Sequence, residues 1–228
     1  MTRRLKFSVI FNSNTAGGKK LRLISEVIEL IKKDHVIELF KTQSESQAKI
    51  VFQELSKKNF DRIIIAGGDG SVSFAINEII NNNLEKKLVA YIPLGTANIL
   101  QIETRITKKA HEIYKVLISN KHRKVSLGKI NDKYFFLMAG IGFDSKIVDS
   151  INKNIKKYLG KVIFAYKGFE HFLFLKNNKM EIEIDNEKIL ADWILCTNSK
   201  YYAGPYSITN ETNIFEKKIV TYIFKDLT

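Results

Sequence analysis

The amino-acid sequence predicts an α/β domain over residues 1–122, followed by a region of antiparallel strands over residues 123–228. Two observations carry this reading. Up to residue 122, short apolar runs alternate with stretches of helical spacing, the grammar of parallel strands joined by crossover helices. Beyond it, strand-like runs come in pairs separated by turns of hairpin length. A third observation bounds the class: the 228 residues are 45% hydrophobic and 27% charged, enough to build a sizeable core. The single cysteine, Cys196, excludes an internal disulfide framework and a Cys-rich zinc site.

Leu5–Phe11 reads as a buried strand that ends in a polar, glycine-bearing loop, Asn12–Gly18. Lys19–Lys33 places apolar residues at 21, 24, 27, 28 and 31, which is helical spacing. Val36–Phe40 is the second strand. Ser44 and Gln47 then stand at capping-box spacing, ahead of the apolar face Ala48, Val51, Phe52 and Leu55. Arg62–Ala66 is a third strand, running into Gly67-Gly68-Asp69-Gly70-Ser71 and a helix to about Asn82. Leu88–Ile92 is a fourth, entering Pro93-Leu94-Gly95-Thr96-Ala97-Asn98. Ala110, Ile113, Val116 and Leu117 share one face of a later helix. In the second region, Lys124–Ile130 and Tyr134–Ala139 flank Asn131-Asp132-Lys133 as a hairpin, and Gly140–Asp144 reads as a glycine turn. A helical stretch follows over Asp144–Leu175, broken near Gly160. Met180–Ile184 alternates cleanly, Asp185-Asn186 turns, Ile189–Cys196 returns, and Lys218–Phe224 is a last strand.

Charge is the strongest compositional signal. Thirty-seven Lys and Arg against 24 Asp and Glu leave +13, which favours anionic partners: nucleotides, lipid headgroups or nucleic acid. Nucleic acid rests on charge alone, because no aromatic–basic interleaving or known module accompanies it. The four histidines show no metal spacing. No run reaches the roughly 18–20 uncharged apolar residues of a membrane span. The basic start, Met1–Lys6, lacks the apolar segment of a signal peptide. A cytoplasmic protein whose membrane contact is peripheral is therefore expected.

The central feature is Gly67-Gly68-Asp69-Gly70-Ser71, delivered by a buried strand to a helix start. Glycines let backbone N–H groups approach a phosphate, and the helix end adds partial positive charge. Asp69 fits either a metal ion or a hydroxyl to be activated; alternatively it caps the helix. Pro93–Asn98 follows the next strand. In a parallel sheet the loops after the strands share one crevice, so Asn12–Gly18, Thr42, Gly67–Ser71 and Pro93–Asn98 point to a nucleotide site.

These motifs resemble the catalytic domain of the diacylglycerol kinase and bacterial lipid kinase family, which includes sphingosine and ceramide kinases. Its pattern is an Asn-Pro-x-x-Gly-like loop, a Thr after the second strand, Gly-Gly-Asp-Gly-Thr, and Pro-Leu-Gly-Thr-x-Asn. Here these are Asn12–Gly17, Thr42, Gly67–Ser71 and Pro93–Asn98. Gly140–Asp144, and Lys157, Gly160 and Tyr166, resemble further family signatures. Departures are Ser13-Asn14 for the Asn-Pro pair, Ser71 for Thr, Ser73-Phe74 for Asn-Glu, Ile99 for the Asp after Asn98, and Glu216-Lys217 for a late Asp-Gly turn.

The resemblance implies a nucleotide-binding domain similar to the phosphofructokinase and NAD kinase fold, then an antiparallel β-sandwich, with ATP and Mg²⁺ in the cleft between them. It implies transfer of the γ-phosphoryl group of ATP to a lipid hydroxyl, most simply that of diacylglycerol, at the inner membrane face. Asn12, Ser13, Asn14, Thr15, Ala16, Gly17, Thr42, Gly67, Gly68, Asp69, Gly70, Ser71, Val72, Ser73 and Thr96 are the implied ATP contacts. Asp69 is the implied catalytic carboxylate, and Glu216 the implied Mg²⁺ ligand. The family continues with more strands and an Asp-Gly-Glu segment carrying its proposed base. The sequence stops at Thr228, so an incomplete sandwich without that base is expected. Lys153, Lys156, Lys157 and Lys161, beside Tyr158, Phe164 and Tyr166, read as a solvated face or a membrane-docking patch. Two alternatives stand beside the kinase. One is a nucleotide-binding relative without turnover. The other is an NAD kinase, which shares Gly-Gly-Asp-Gly but needs an Asn-x-Gly-x-Leu-Gly-Phe-like segment where this chain has Pro-Leu-Gly-Thr-Ala-Asn.

Overall fold

Four parallel strands make the first sheet: β1 (Lys6–Asn12), β2 (Val36–Thr42), β3 (Arg62–Gly67) and β4 (Leu88–Pro93), in the order β2-β1-β3-β4. The structure, a computed structural model, describes residues 3–14, 18–142 and 179–225. Thr15, Ala16, Gly17, the expected helical stretch from Asp144 to Leu175 with its basic and aromatic residues, and the Phe143-Asp144 end of the glycine turn lie outside the described residues. The chain divides into two compact units, taken separately below. One comprises Met1–Val125, Lys129–Tyr134 and Tyr201–Tyr206; the other holds Ser126–Gly128, Phe135–Lys200 and Ser207–Thr228.

In the first unit the register aligns Ile10 with Phe40 on one side and Ile65 on the other, and Ala66 with Ile92. Every residue of β3 is buried, as expected for a strand with neighbours on both edges and helices on both faces. β2 is an edge strand, and its residues are mostly exposed or half-buried. Five helices accompany the sheet: α1 (Lys19–Asp34), α2 (Glu45–Leu55), α3 (Asp69–Asn81), α4 (Ile99–Thr104) and α5 (Ala110–Ile118). Ile24, Val27, Ile28 and Ile31 of α1 and Ile113 and Leu117 of α5 close over Phe7, Val9, Phe11, Ile64 and Ile92. These are the periodic positions of the sequence, except that Leu21 and Val116 stay exposed. At the amino end of β3, Arg62 is buried and its guanidinium donates to the Leu117 carbonyl, capping the last turn of α5. Burial lowers the Arg62 pKa, and Asp61 opposes that shift.

The second unit is built on an antiparallel sheet of β7 (Met138–Gly142), β10 (Trp193–Thr197) and β13 (Val220–Phe224), in the order β13-β10-β7. A separate hairpin joins β8 (Met180–Ile184) and β9 (Glu187–Ala191) through Asp185 and Asn186. Both have positive φ, at 51° and 68°, as a type I′ turn requires. Trp193 and Phe224 stack at 4.2 Å on facing strands. Three sequence expectations change here. Lys124–Ile130 and Tyr134–Ala139 do not form one long hairpin. The strands are β5 (Gly128–Ile130) and β6 (Lys133–Phe135), and Leu137 at φ 78° breaks the second run. Gly140-Ile141-Gly142 is not a turn but part of β7, paired with Trp193, Ile194 and Leu195. At Gly142, φ is 90° and an added Cβ would stand 2.5 Å from the Asp192 carbonyl oxygen, so glycine is required by close backbone approach. Finally, Ile189–Cys196 is two strands. The chain changes partners at Asp192, whose N–H donates to the Phe224 carbonyl at 2.9 Å. Asp192 alone interrupts the apolar run, and one charged residue does not by itself reveal that a strand changes sheets.

Candidate functional site

Parallel connectivity gathers the loops after β1, β2, β3 and β4 at the carboxyl end of the sheet. The first two are tied to one another. Ser13 N–H and Oγ both donate to the Thr42 carbonyl, at 2.9 and 3.2 Å, and the Thr42 hydroxyl donates to the Phe11 carbonyl at 3.3 Å. Asn12 Oδ1 accepts the Asn14 N–H at 2.9 Å, an Asx turn, and Asn14 Nδ2 reaches the Gln43 carbonyl at 3.1 Å. Thr42 is thus buried and its hydroxyl is engaged, whereas Asn12 and Ser13 are half-buried and Asn14 is exposed.

The third and fourth loops are locked together more closely. Leu94 N–H donates to the Gly67 carbonyl at 2.8 Å. A Cβ on Gly68 would stand 2.9 Å from Gly95 Cα, and one on Gly95 would stand 2.6 Å from Gly68 Cα, so the two backbones touch where no side chain fits. A Cβ on Gly67 would meet Ser71 Cβ at 2.5 Å. Gly70 differs: nothing lies within 4 Å of an added Cβ. Gly70 and Ser71 are exposed on the first turn of α3, Ser73 is half-buried, and Val72 is turned into the core. Thr96 is exposed on the fourth loop.

Asp69 opens α3, yet it caps a different helix. Its carboxylate oxygens accept the Ile99 and Leu100 N–H groups at 2.9 and 3.1 Å, so it serves the N-terminus of α4 across the two loops. Of the sequence alternatives for this residue, helix capping is what the structure exhibits, on the neighbouring helix rather than its own. Two participants were given no role by the sequence, Asn98 although it closes the Pro93–Asn98 motif. Asn98 is 2% exposed with left-handed backbone at φ 49°, and its amide donates to the Gly95 carbonyl at 2.6 Å. Its Oδ1 is buried without a partner, as is the Tyr91 hydroxyl on β4. Burial pushes the Tyr91 pKa far up, with the Asp69 charge adding to the shift. The other is Asn77, two turns into α3. Its amide exchanges hydrogen bonds with the Tyr134 backbone at 2.8 and 2.9 Å, pinning the β6 hairpin to the helix. Asn at a loop end is a signal for left-handed backbone; nothing local announces Asn77.

Chemically, the site is a helix N-terminus without a side-chain cap, approached over glycines, beside exposed hydroxyls. None of the segments 12–18, 42–44, 67–73 and 93–98 carries Lys or Arg. Within these segments an anion would be held by backbone N–H groups and the helix dipole, with Lys19, Lys20 and Lys41 the adjoining cations. Among the described residues, no three His, Cys, Asp or Glu side chains cluster as a metal site. Glu216 lies in the second unit, exposed in a tight turn, where its carboxylate accepts from Asn213 and its N–H donates to the Asn213 carbonyl.

The model of the diacylglycerol kinase catalytic domain matches residues 6–130. The diacylglycerol kinase of Staphylococcus haemolyticus is 28% identical over 209 residues, covering 90% of this chain and 61% of that protein. That of Staphylococcus carnosus is 27% identical over 213 residues, covering 90% and 65%. The crystal structure of a diacylglycerol kinase from Bacillus anthracis superposes with a TM-score of 0.74 at 21% identity, over 99% of this chain and 75% of that one. The chain therefore spans less than two thirds of the length of these curated relatives.

Proposed function

The chain belongs to the family of the diacylglycerol kinase catalytic domain, and from that premise we propose that it transfers the γ-phosphoryl group of ATP to a lipid hydroxyl, with diacylglycerol as acceptor. The acceptor oxygen forms a bond to the γ-phosphorus, the bond to the ADP oxygen breaks, and the hydroxyl proton passes to solvent. The observation that supports this reading is the difference between the glycines. Gly67, Gly68 and Gly95 have packing reasons to be glycine, whereas Gly70 has none among the described residues. A phosphate resting on the first turn of α3 supplies that reason. On this reading the α3 N–H groups hold the nucleotide phosphates, Ser71 and Thr96 add hydroxyl donors, and Asp69 keeps the fourth loop and α4 in place. Magnesium would supply charge neutralisation, bound chiefly through the nucleotide phosphates and water. The described residues offer no ligand cluster of their own for it.

One observation favours a second reading, nucleotide binding without turnover: both Asp69 oxygens are engaged by backbone amides. A two-part experiment decides. Mg·ATP at ~100 times its dissociation constant should raise stability by ~2.7 kcal/mol, and NAD should not. Radiolabelled ATP with mixed vesicles carrying diacylglycerol, ceramide or sphingosine should label diacylglycerol. A thermal shift without labelling selects the second reading, and the absence of any shift with adenine nucleotides removes both.

A further inference from the structure

We propose that the hairpin of β11 (Tyr201–Tyr202) and β12 (Tyr206–Ser207) is a contact element for the interface of an anionic bilayer, seated at the rim of the nucleotide loops. The inference rests on the lipid-kinase reading for its purpose, but its evidence is separate. The segment 201–206 lies late in the sequence, yet it belongs to the first unit, where β11 packs against α4. α4 has six residues, a length of roughly 9 Å, and its N-terminus is the one Asp69 caps. The hairpin therefore sits within about one short helix of the third and fourth loops.

Its composition is that of a membrane-interface element. Tyr201, Tyr202 and Tyr206 stand among six residues, and no acidic residue occurs from Ser199 to Asn210. Tyrosine suits the boundary because the ring is apolar and the hydroxyl stays wet. Tyr206 is 71% exposed, and the other large apolar side chains exposed among the described residues are all aliphatic. A surface aromatic so open does nothing for the core. The turn that presents it is tightly built: Ala203 and Gly204 have φ of 52° and 111° and are followed by Pro205, which removes backbone freedom from the tip. Among the described residues no helix can cross a membrane, so contact through them is peripheral. Lys200, immediately before the hairpin, and Lys19, Lys20 and Lys41, beside the first two loops, favour an anionic surface.

Tyr206→Trp in the full chain tests this, with vesicles of phosphatidylglycerol and brominated phosphatidylcholine. Bromine quenches only indoles at the bilayer, and the parent protein, with Trp193 alone, is the baseline. The expected result is quenching beyond that baseline, together with a roughly fivefold weaker vesicle affinity for Tyr206→Ala and an unchanged Mg·ATP thermal shift. No added quenching overturns the inference, and lipid labelling by the same protein would then leave the kinase reading standing. Quenching without lipid labelling keeps the inference and removes the kinase reading. If Mg·ATP alone, without vesicles, changes the indole emission of the Tyr206→Trp protein beyond that of the parent, the inference is overturned, because the hairpin is then a rim for the nucleotide base.

Discussion

Gly68 and Gly70 stand two residues apart in one motif and owe their identity to different neighbours. At Gly68 a methyl group would push on the backbone of Gly95, which has no flexible end to give way. Gly68→Ala should therefore lower stability by about 1–3 kcal/mol, read as an earlier denaturant midpoint. At Gly70 the added carbon meets nothing among the described residues, so Gly70→Ala should melt close to the parent and lose Mg·ATP binding. If Gly70→Ala binds nucleotide normally, α3 is not the phosphate site. Motif spacing alone could not separate the two, because both are exposed to the same rule: glycine after a buried strand means close approach. What approaches, a loop of the same chain or a phosphate, depends on Gly95, a residue 27 positions along from Gly68.

At the scale of elements, capping explains why some helices were legible and one was not. α2 begins with its cap in sequence: Ser44 Oγ accepts the Gln47 N–H at 3.2 Å, and Gln47 reaches back to the Gln43 N–H at 2.7 Å, one residue before the cap. Ser44→Ala should destabilise the protein by about 1 kcal/mol, seen as a shifted denaturant midpoint with an unchanged slope. No change would mean that tertiary packing alone holds α2. α4 is too short to hold itself, and its capping carboxylate lies 30 residues earlier. Only the fold shows that Asp69 starts that helix. The second region shows the same limit in strands: the Asp185-Asn186 turn was readable from residue type, whereas the partner change at Asp192 was not.

Over the molecule as a whole, the larger part of the first unit's surplus charge lies away from the loops at the carboxyl end of the sheet, which Lys19, Lys20 and Lys41 adjoin. The helix-to-strand connections of a parallel sheet lie at its amino end. There stand Arg3, Arg4, Lys6, Lys32, Lys33, Lys57, Lys58, Lys86, Lys87, Lys121, Arg123 and Lys124, against Asp34, Asp61 and Glu85. Some are engaged, such as Arg3 with Asp61 at 2.7 Å and Lys58 with Glu38; the exposed pairs stabilise little. Polyanion binding should therefore be independent of the nucleotide. Retention on heparin should be unchanged by saturating Mg·ATP, while Lys57→Glu with Lys86→Glu should elute at lower salt and keep the ATP thermal shift. Competition between ATP and heparin would place the charge at the glycine loops instead.

What the sequence determined by itself is whatever neighbours in the chain can express. Periodicity marked the strands and helices of the first unit, turn residues marked its loops, and the order of motifs pointed to a nucleotide site at the carboxyl end of a parallel sheet. The tertiary structure alone decided which of those residues face each other. It spent the Asp69 carboxylate on α4, buried the Thr42 hydroxyl, left Gly70 open, joined Asn77 to Tyr134, and drew residues 201–206 into the first unit. The physical reason is that hydrogen bonds and close packing are satisfied by distance in space. A carboxylate with two amides within 3.1 Å is engaged whether those amides lie 3 or 30 residues away.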